Sequence, residues 1–444
     1  MSEGLFLKNC LAKKKHNFGF DSGKIGFRIT FELTRILGSP TSIGKWEIMG
    51  IHTLDAKEIV RLALINQWQT KGDNSTPTPP LAPPLEILPR DLIPFAIGKG
   101  ALGVLLSALK SWDLLSLLDK KELERAKASL SYTELLNIAM KRELGILFKK
   151  FEAHGVEVIL IKGHDIINRY YNDFMTRPTT DADILVRQRD FGTVVDILKV
   201  AGYVSTSGES DNGLENKSEN DISTQWFRGS LCIDIQTEIM GKKRIKERQF
   251  LPTLKTEDIF ASAVKIRIGD SNYLSPDPYH TLILSSLHAL KHSYLMDYWF
   301  LDVGKIIENL GSVFSLDTLF EKTGSEGLTE IVGKMLWIVT EIFEFPLNED
   351  EIARFGPNRI ERRLISAAIG SRRSLQFGDV LLGLYIDNWR QKFYYYKEFL
   401  FPDRDVLLKE LGNSSSQWGT IMLYLLRAIH LLKSLFGIFL YRKG

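Results

Sequence analysis

Apolar and polar positions change period several times along the 444-residue chain. "VEVILI" (156–161) is short, apolar and β-branched, which predicts a strand. "KGHDIINRYYNDF" then returns to helical spacing through Ile166, Ile167, Tyr170, Tyr171 and Phe174, so strand, glycine turn and helix follow one another. A second strand is predicted at "DADILV" (181–186), followed by a helix with Phe191, Val194, Val195 and Leu198 on one face. "QWFRGSLCIDIQTEI" (225–239) has two alternating apolar arms about a Gly-Ser break and predicts a hairpin.

Helical patterns surround this α/β stretch. "SYTELLNIAMKRELGILFKKFEAHG" predicts a helix that opens on a Ser/Thr cap before Glu134 and closes at Gly155. Beyond about residue 275 the pattern is again helical, without an internal repeat. A polar, proline-rich run from 69 to 92 can form neither helix nor central strand and predicts a linker. "IGFRITFEL" (25–33) alternates like a half-buried strand, and "ESDNGLENKSENDIS" (209–223) predicts a mobile surface insertion. The expected organisation is an N-terminal segment without assigned role (1–68), a linker (69–92), a helical lead-in (93–153), an α/β module (154–270) and a C-terminal helical domain (271–444).

The last segment, "TIMLYLLRAIHLLKSLFGIFLY", is long enough to span a bilayer, but Arg427, His430 and Lys433 are costly at mid-membrane. Ile421, Leu425, Ala428, Leu431, Leu432 and Leu435 recur at helical spacing with Tyr424 on their side. A packed terminal helix is the expectation, with weak interfacial membrane contact as the alternative.

Composition narrows the partners. A net charge of +3 is small for this length and argues against a dominant nucleic-acid surface. Cys10 and Cys232 are the only cysteines, which excludes a disulfide framework or zinc ribbon and fits a reducing cytoplasm. Cys232 is expected as a small buried residue. The N-terminal stretch lacks the apolar run of a signal peptide.

The chemistry centres on three acids. Residues two apart on a strand face the same way, so Asp181 and Asp183 project together while Ala182, Ile184 and Val186 line the other face. Two carboxylates so close are unfavourable when both are ionised unless cations stand between them, and Mg2+ or Mn2+ takes carboxylate oxygens together with substrate phosphates. Asp234 leaves its strand between Ile233 and Ile235. If that strand pairs beside "DADILV", three carboxylates gather and can hold two divalent ions for phosphoryl transfer. Gly163 opens a helix directly after a strand, so backbone N–H groups and the helix dipole can seat phosphate there. Lys162 and Arg177 either add positive charge to the same phosphates or serve as a surface charge or structural ion pair.

With these residues assembled, "VILIKGHDIINRYYNDFMTRPTTDADILV" and "CIDIQTEI" resemble the polymerase-β-like nucleotidyltransferase superfamily, most closely its family of uncharacterised bacterial nucleotidyltransferases. The resemblance extends from about 90 to the end through "LILSSLHALKHSYLMDYWFLDVGKII" and "EFLFPDRDVLLKELG". It implies an α+β fold, a polymerase-β-like nucleotidyltransferase module with a small mixed sheet, embedded between helical regions. The family's Lys-Gly turn, helical Tyr, Arg-Pro, Asp-x-Asp and later Asp fall on Lys162, Gly163, Tyr170 or Tyr171, Arg177, Asp181, Asp183 and Asp234. Two positions depart from the pattern: His164 follows Gly163 where Ser or Gly is usual, and Gln236 stands where the family commonly has His.

Other motifs have bland readings beside the functional ones. His288 and His292 are four apart on a predicted helix, but "HALKH" lacks the Glu of a zinc-protease pair, so cleft or core histidines are expected rather than metal ligands. Asp302 can face a nucleotide cleft. "GKKRIKERQ" (241–249) is expected as a solvated loop rather than a contact to RNA or a phosphate-rich substrate, and "FYYYKEFLFP" (393–402) as packed core rather than a base-stacking surface. The function expected is metal-dependent transfer of a nucleoside monophosphate from an NTP to a hydroxyl-bearing acceptor, a small molecule, protein or RNA. The rivals are a tRNA-end nucleotidyltransferase, disfavoured by the near-neutral charge, and a non-catalytic nucleotide-binding scaffold.

Overall fold

Among the residues that the computed structural model describes (54–69, 83, 87–205, 225–240, 245–370, 377–411, 419, 421–429 and 431), helices come first. The strand predicted at 25–33, the insertion at 209–223 and most of the 69–92 linker lie outside them. Helix α1 (Ala56–Gln69) falls where the sequence pattern assigned no element, and it buries Ile59, Ala63, Leu64 and Ile65. Arg61 of α1 donates through Nη1 to the carbonyl of Ile342 at 3.0 Å. Helices α2 (Leu92–Gly98) and α3 (Leu102–Ser111) follow.

Helix α4 (Lys120–Ala153) begins well before the predicted cap at 131–133. Asp119 is the true cap, its side chain accepting from the N–H groups of Lys121 and Glu122. "KKELERAKASL" contains strong helix formers and no breaker, so Ser131 and Thr133 sit inside a helix already running. The C-terminal end is where expected, with Gly155 at φ 69°.

Next come β1 (Val158–Ile161), α5 (Gly163–Tyr170), β2 (Ala182–Val186), α6 (Phe191–Val200), β3 (Val204–Ser205), and the hairpin β4 (Gln225–Arg228) and β5 (Leu231–Gln236). Helix α5 stops at Tyr170 rather than running on to Phe174. Tyr171 is extended, and the Asp173 carboxylate accepts from the N–H groups of Met175 and Thr176, a turn that helix continuation would break. After α7 (Thr256–Ala261), a second hairpin, β6 (Val264–Ile268) and β7 (Ser271–Ser275), turns at Gly269 with φ 58°.

The seven strands form one mixed sheet in the order β3-β4-β5-β2-β1-β7-β6. Strand β1 pairs antiparallel with β2 and parallel with β7, and β2 pairs parallel with β5. The sheet therefore continues to Ser275, past residue 270. On one face, Val158, Leu160, Ala182, Ile184, Val186, Ile233 and Ile235 pack against Leu144, Leu147, Phe148 and Phe151 of α4 and Val194, Val195, Ile197 and Leu198 of α6. Burying a side chain of this size contributes about 1.5–3 kcal/mol, so this layer anchors the strands that carry the acids. The opposite face is not a wet edge, because Ile159, Ile161 and Leu185 are fully buried there.

The remaining helices are α8 (Pro278–Lys291), α9 (Tyr298–Leu310), α10 (Leu316–Thr323), α11 (Glu326–Glu341), α12 (Glu349–Ile352), α13 (Arg359–Gly370), α14 (Gly378–Leu382), α15 (Trp389–Leu400) and α16 (Arg404–Leu411). In α15 only part of the aromatic run is core: Tyr395 and Phe399 are buried, whereas Phe393 and Tyr394 are exposed.

The terminal helix corrects the sequence reading most clearly. Over its described residues, Ile421 and Leu425 of the expected packing face are exposed, while Leu423 and Arg427 face inward. The reason is that Arg427 finds partners: it donates through Nη2 to the Phe399 carbonyl at 2.7 Å and lies over the Phe399 ring. Tyr424 donates to the Pro402 carbonyl at 3.0 Å on the same side. Among the described residues no helix is long and apolar enough to cross a membrane.

Candidate active site

The pairing of β2 with β5 sets Asp183 directly opposite Asp234, and Asp181 immediately precedes β2. Each of the three acids offers an oxygen within 4.8 Å of those of the other two. Parallel register does this because the neighbours of each acid, Ala182 and Ile184, Ile233 and Ile235, are claimed by the core on the far face. Burial, and then the charges of Asp183 and Asp234, push Asp181 up to about 6. Three hard oxygen donors in mutual repulsion suit a divalent cation. Cys232, also buried on β5, has its thiol pushed up to about 12 by burial and by the same acids, and so stays an inert thiol as expected.

Lys162 joins β1 to α5 with φ 57° and ψ −141°, a backbone state that glycine holds far more easily than lysine. The side chain explains the strain: Nζ lies 3.3 Å from Asp183 Oδ1 and donates to Gln236 Oε1 at 3.0 Å, while Gln236 Nε2 donates to the same Asp183 oxygen. Gln236, the departure from the family pattern, thus bridges the lysine and the second acid. Gly163 begins α5 beside Thr179 and Arg177, as a Cβ there would stand 3.4 Å from Thr179 Cγ2 and 3.5 Å from Arg177 Nη1.

Arg177 does not present its guanidinium as an open phosphate fork. It is buried, and Nε (2.7 and 3.0 Å) and Nη2 (2.7 Å) grip the carboxylate of Asp302 on α9, with Tyr298 under the guanidinium plane. Asp302 therefore does not face the cleft; it holds Arg177 and accepts from the Tyr171 hydroxyl at 2.8 Å. His164 is likewise part of this frame. Its Nε2 lies 2.7 Å from Thr179 Oγ1, and burial, then the charge of Arg177, lowers its pKa to about 3, keeping the imidazole neutral. Asn137 of α4 completes it by donating to the carbonyls of Phe174 (2.8 Å) and Arg177 (3.0 Å). The loop that delivers Asp181 is thus fastened from three sides.

The profile of the uncharacterised nucleotidyltransferase family matches residues 86–344, more than half of the chain. The chain belongs to this family. No curated protein and no solved structure matches it.

Nucleotidyl transfer is the general activity that membership brings, and in this nucleotidyltransferase Asp181 of the three acids lines a cavity of about 390 Å³. Thr180 and Asp181 line one side; His288, Lys291 and His292 at the end of α8, with Trp299 of α9, line another. The two imidazoles are 4.6 Å apart and contact the Trp299 ring. They are cleft histidines, as expected. Burial and neighbouring cations hold His288 well below its usual range and His292 at about 4. Among the described residues the three aspartates are the one such cluster of potential metal ligands.

Part of the basic run also lines the cavity. Arg248 is buried and pairs with Asp379 at 2.6 Å, so it is not a solvated loop residue. Residues 241–244 of that run lie outside the described residues. Lys291 and Asp379 escaped the sequence reading, and Arg248 was expected only as part of a solvated run, because the three come from segments far apart in the chain. The one local signal was the charge of Lys291 on the mostly buried helix α8.

Proposed function

We propose that this nucleotidyltransferase transfers a nucleoside monophosphate from an NTP to a hydroxyl-bearing acceptor and releases pyrophosphate. The observation that carries the reading is the convergence of Asp181, Asp183 and Asp234 within 4.8 Å, with Asp181 lining a cavity. Bound Mg2+ or Mn2+ would acidify the acceptor hydroxyl and neutralise charge on the transferring phosphoryl group. The residues fit that requirement, with Asp181, Asp183 and Asp234 as its carboxylate ligands.

Asp234, on the neighbouring strand, is assigned to the acceptor side, where it takes the hydroxyl proton. Lys162 is poised to leave Asp183 for a triphosphate oxygen, and its strained backbone fits a position kept for chemistry rather than for folding. The first N–H groups of α5, at Gly163, favour negative charge through the helix dipole. Arg177 acts from behind this turn: Nη1 lies beside Gly163 while the other donors are tied to Asp302, so it contributes field and loop position. A divalent ion and an NTP are the partners this implies. The acceptor is proposed only as a hydroxyl compound.

The test is incubation with each α-labelled NTP, Mg2+ or Mn2+, and a cell extract, comparing wild type with Asp181→Asn/Asp183→Asn. Transfer by wild type that disappears in the double variant is expected. Transfer that persists in the variant would sink the site, and a wild type that binds nucleotide without transfer would favour a scaffold.

A further inference from the structure

Lys291 is a charge without a contact partner among the described residues. It is partly buried at the end of α8, lines the cavity beside Asp181, and makes no hydrogen bond or ion pair with any described residue. Burial pushes its pKa down to about 8, and Lys162 and Arg248 add to the depression, which the more weakly acting carboxylates of Asp379 and Asp183 oppose without reversing. Arg248, on the same cavity, has its charge met by Asp379. The neighbouring imidazoles of His288 and His292 stay neutral, so they supply hydrogen-bonding groups and no charge.

A partly buried cation whose nearby carboxylates do not contact it is unfavourable, and such a group persists when a ligand supplies an anion in direct contact. The end of α8 is also fixed in place. Ser293 Oγ accepts from the N–H groups of Phe377 (3.0 Å) and Gly378 (2.8 Å). Gly378 approaches so closely that a Cβ there would stand 2.4 Å from the carbonyl oxygens of Leu290 and Lys291. The backbone that carries Lys291 is thereby organised before any ligand arrives.

We propose that Lys291 binds a substrate phosphate in the cavity beside Asp181, gripping it from the helical wall opposite the sheet. This rests on the nucleotidyl-transfer reading, whose substrates carry phosphate and whose acid Asp181 lines the same cavity. A phosphate offers several oxygens, enough for Lys291 and for the N–H groups of His288 and His292 together. Its source is either the NTP or a phosphorylated acceptor.

Calorimetric titrations of wild type, Lys291→Met and Lys291→Arg separate the cases. The probes are inorganic tripolyphosphate with Mg2+, and orthophosphate with Mg2+ and a non-hydrolysable NTP. Lys291→Met should melt at or above the wild-type temperature, because it removes a charge that burial disfavours, and should bind one probe at least tenfold more weakly. Lys291→Arg should keep most of the affinity. Weakening toward tripolyphosphate assigns the phosphate to the nucleotide; weakening toward orthophosphate alone assigns it to the acceptor. Equal affinities in wild type and Lys291→Met for both probes, or a clear fall in melting temperature marking a structural cation, overturn the proposal and leave the transfer reading intact. A wild type that binds neither probe overturns both.

Discussion

Arg177 and Asp302, 125 residues apart in sequence, form a buried two-pronged ion pair with contacts of 2.7, 3.0 and 2.7 Å. It ties the loop before β2 to helix α9, and so joins the wall carrying Asp181 to the wall on the far side of the cavity. Removing one partner leaves an uncompensated charge in the interior, which typically costs about 3–5 kcal/mol. Asp302→Ala should therefore lower unfolding stability by about that much in urea denaturation. A loss below about 1 kcal/mol would mean that Arg177 is free to serve substrate after all.

Asp181 ties stability to pH. Its folded pKa, about 6, is raised above the ordinary aspartate value of about 3.9. The stability of the metal-free fold linked to this group is therefore fully present below about pH 4 and is lost as pH rises through about 6. Asp181→Asn should raise the melting temperature in chelator at pH 7.5, by roughly 1–2 kcal/mol equivalent, and give little difference at pH 4. Melting curves across that range check both the sign and the window.

Lys162 holds a backbone conformation that costs about 1 kcal/mol or more for a residue with a Cβ. Lys162→Gly relieves that strain but removes the cation beside Asp183, so it should cost less stability than Asp302→Ala, yet transfer nucleotide about 100-fold more slowly, the usual scale for losing one transition-state contact. Parallel thermal melts and turnover measurements read the two effects separately. A variant slowed no more than twofold would remove Lys162 from the site.

How much of this was legible in the sequence depended on the range of the interaction. The alternation in "DADILV" and "CIDIQ" showed which faces carry the acids, and the parallel register that joins them agrees with it. Period alone did not show that the acid-bearing face of β2 is also buried, because what covers a strand comes from elsewhere in the chain. The β6–β7 hairpin went unassigned although "VKIRIGDSNYLS" alternates about a Gly-Asp turn; its second strand joins β1 in parallel, a non-local pairing. Arg177 offered two readings, and only the position of Asp302 decides between them. The apolar stripe of the terminal helix misled because a buried Arg427 with a carbonyl partner outweighs the rule that arginine faces water.

That orientation is testable by a paired substitution. Leu423→Ala, at a fully buried position, should cost about 2 kcal/mol or more, whereas Leu425→Ser, at an exposed one, should stay within about 0.5 kcal/mol of wild type. Denaturation midpoints in the reverse order would restore the packing face expected from the pattern.

The central claim is that Asp181, Asp183 and Asp234 form a divalent-metal site for nucleotidyl transfer. Electron paramagnetic resonance titration of Mn2+ into wild type and into Asp181→Asn/Asp183→Asn/Asp234→Asn, each with a non-hydrolysable NTP, addresses it most directly. Tight Mn2+ binding by wild type and a loss of at least 100-fold in the triple variant are expected. Equal Mn2+ binding by the two proteins would contradict it.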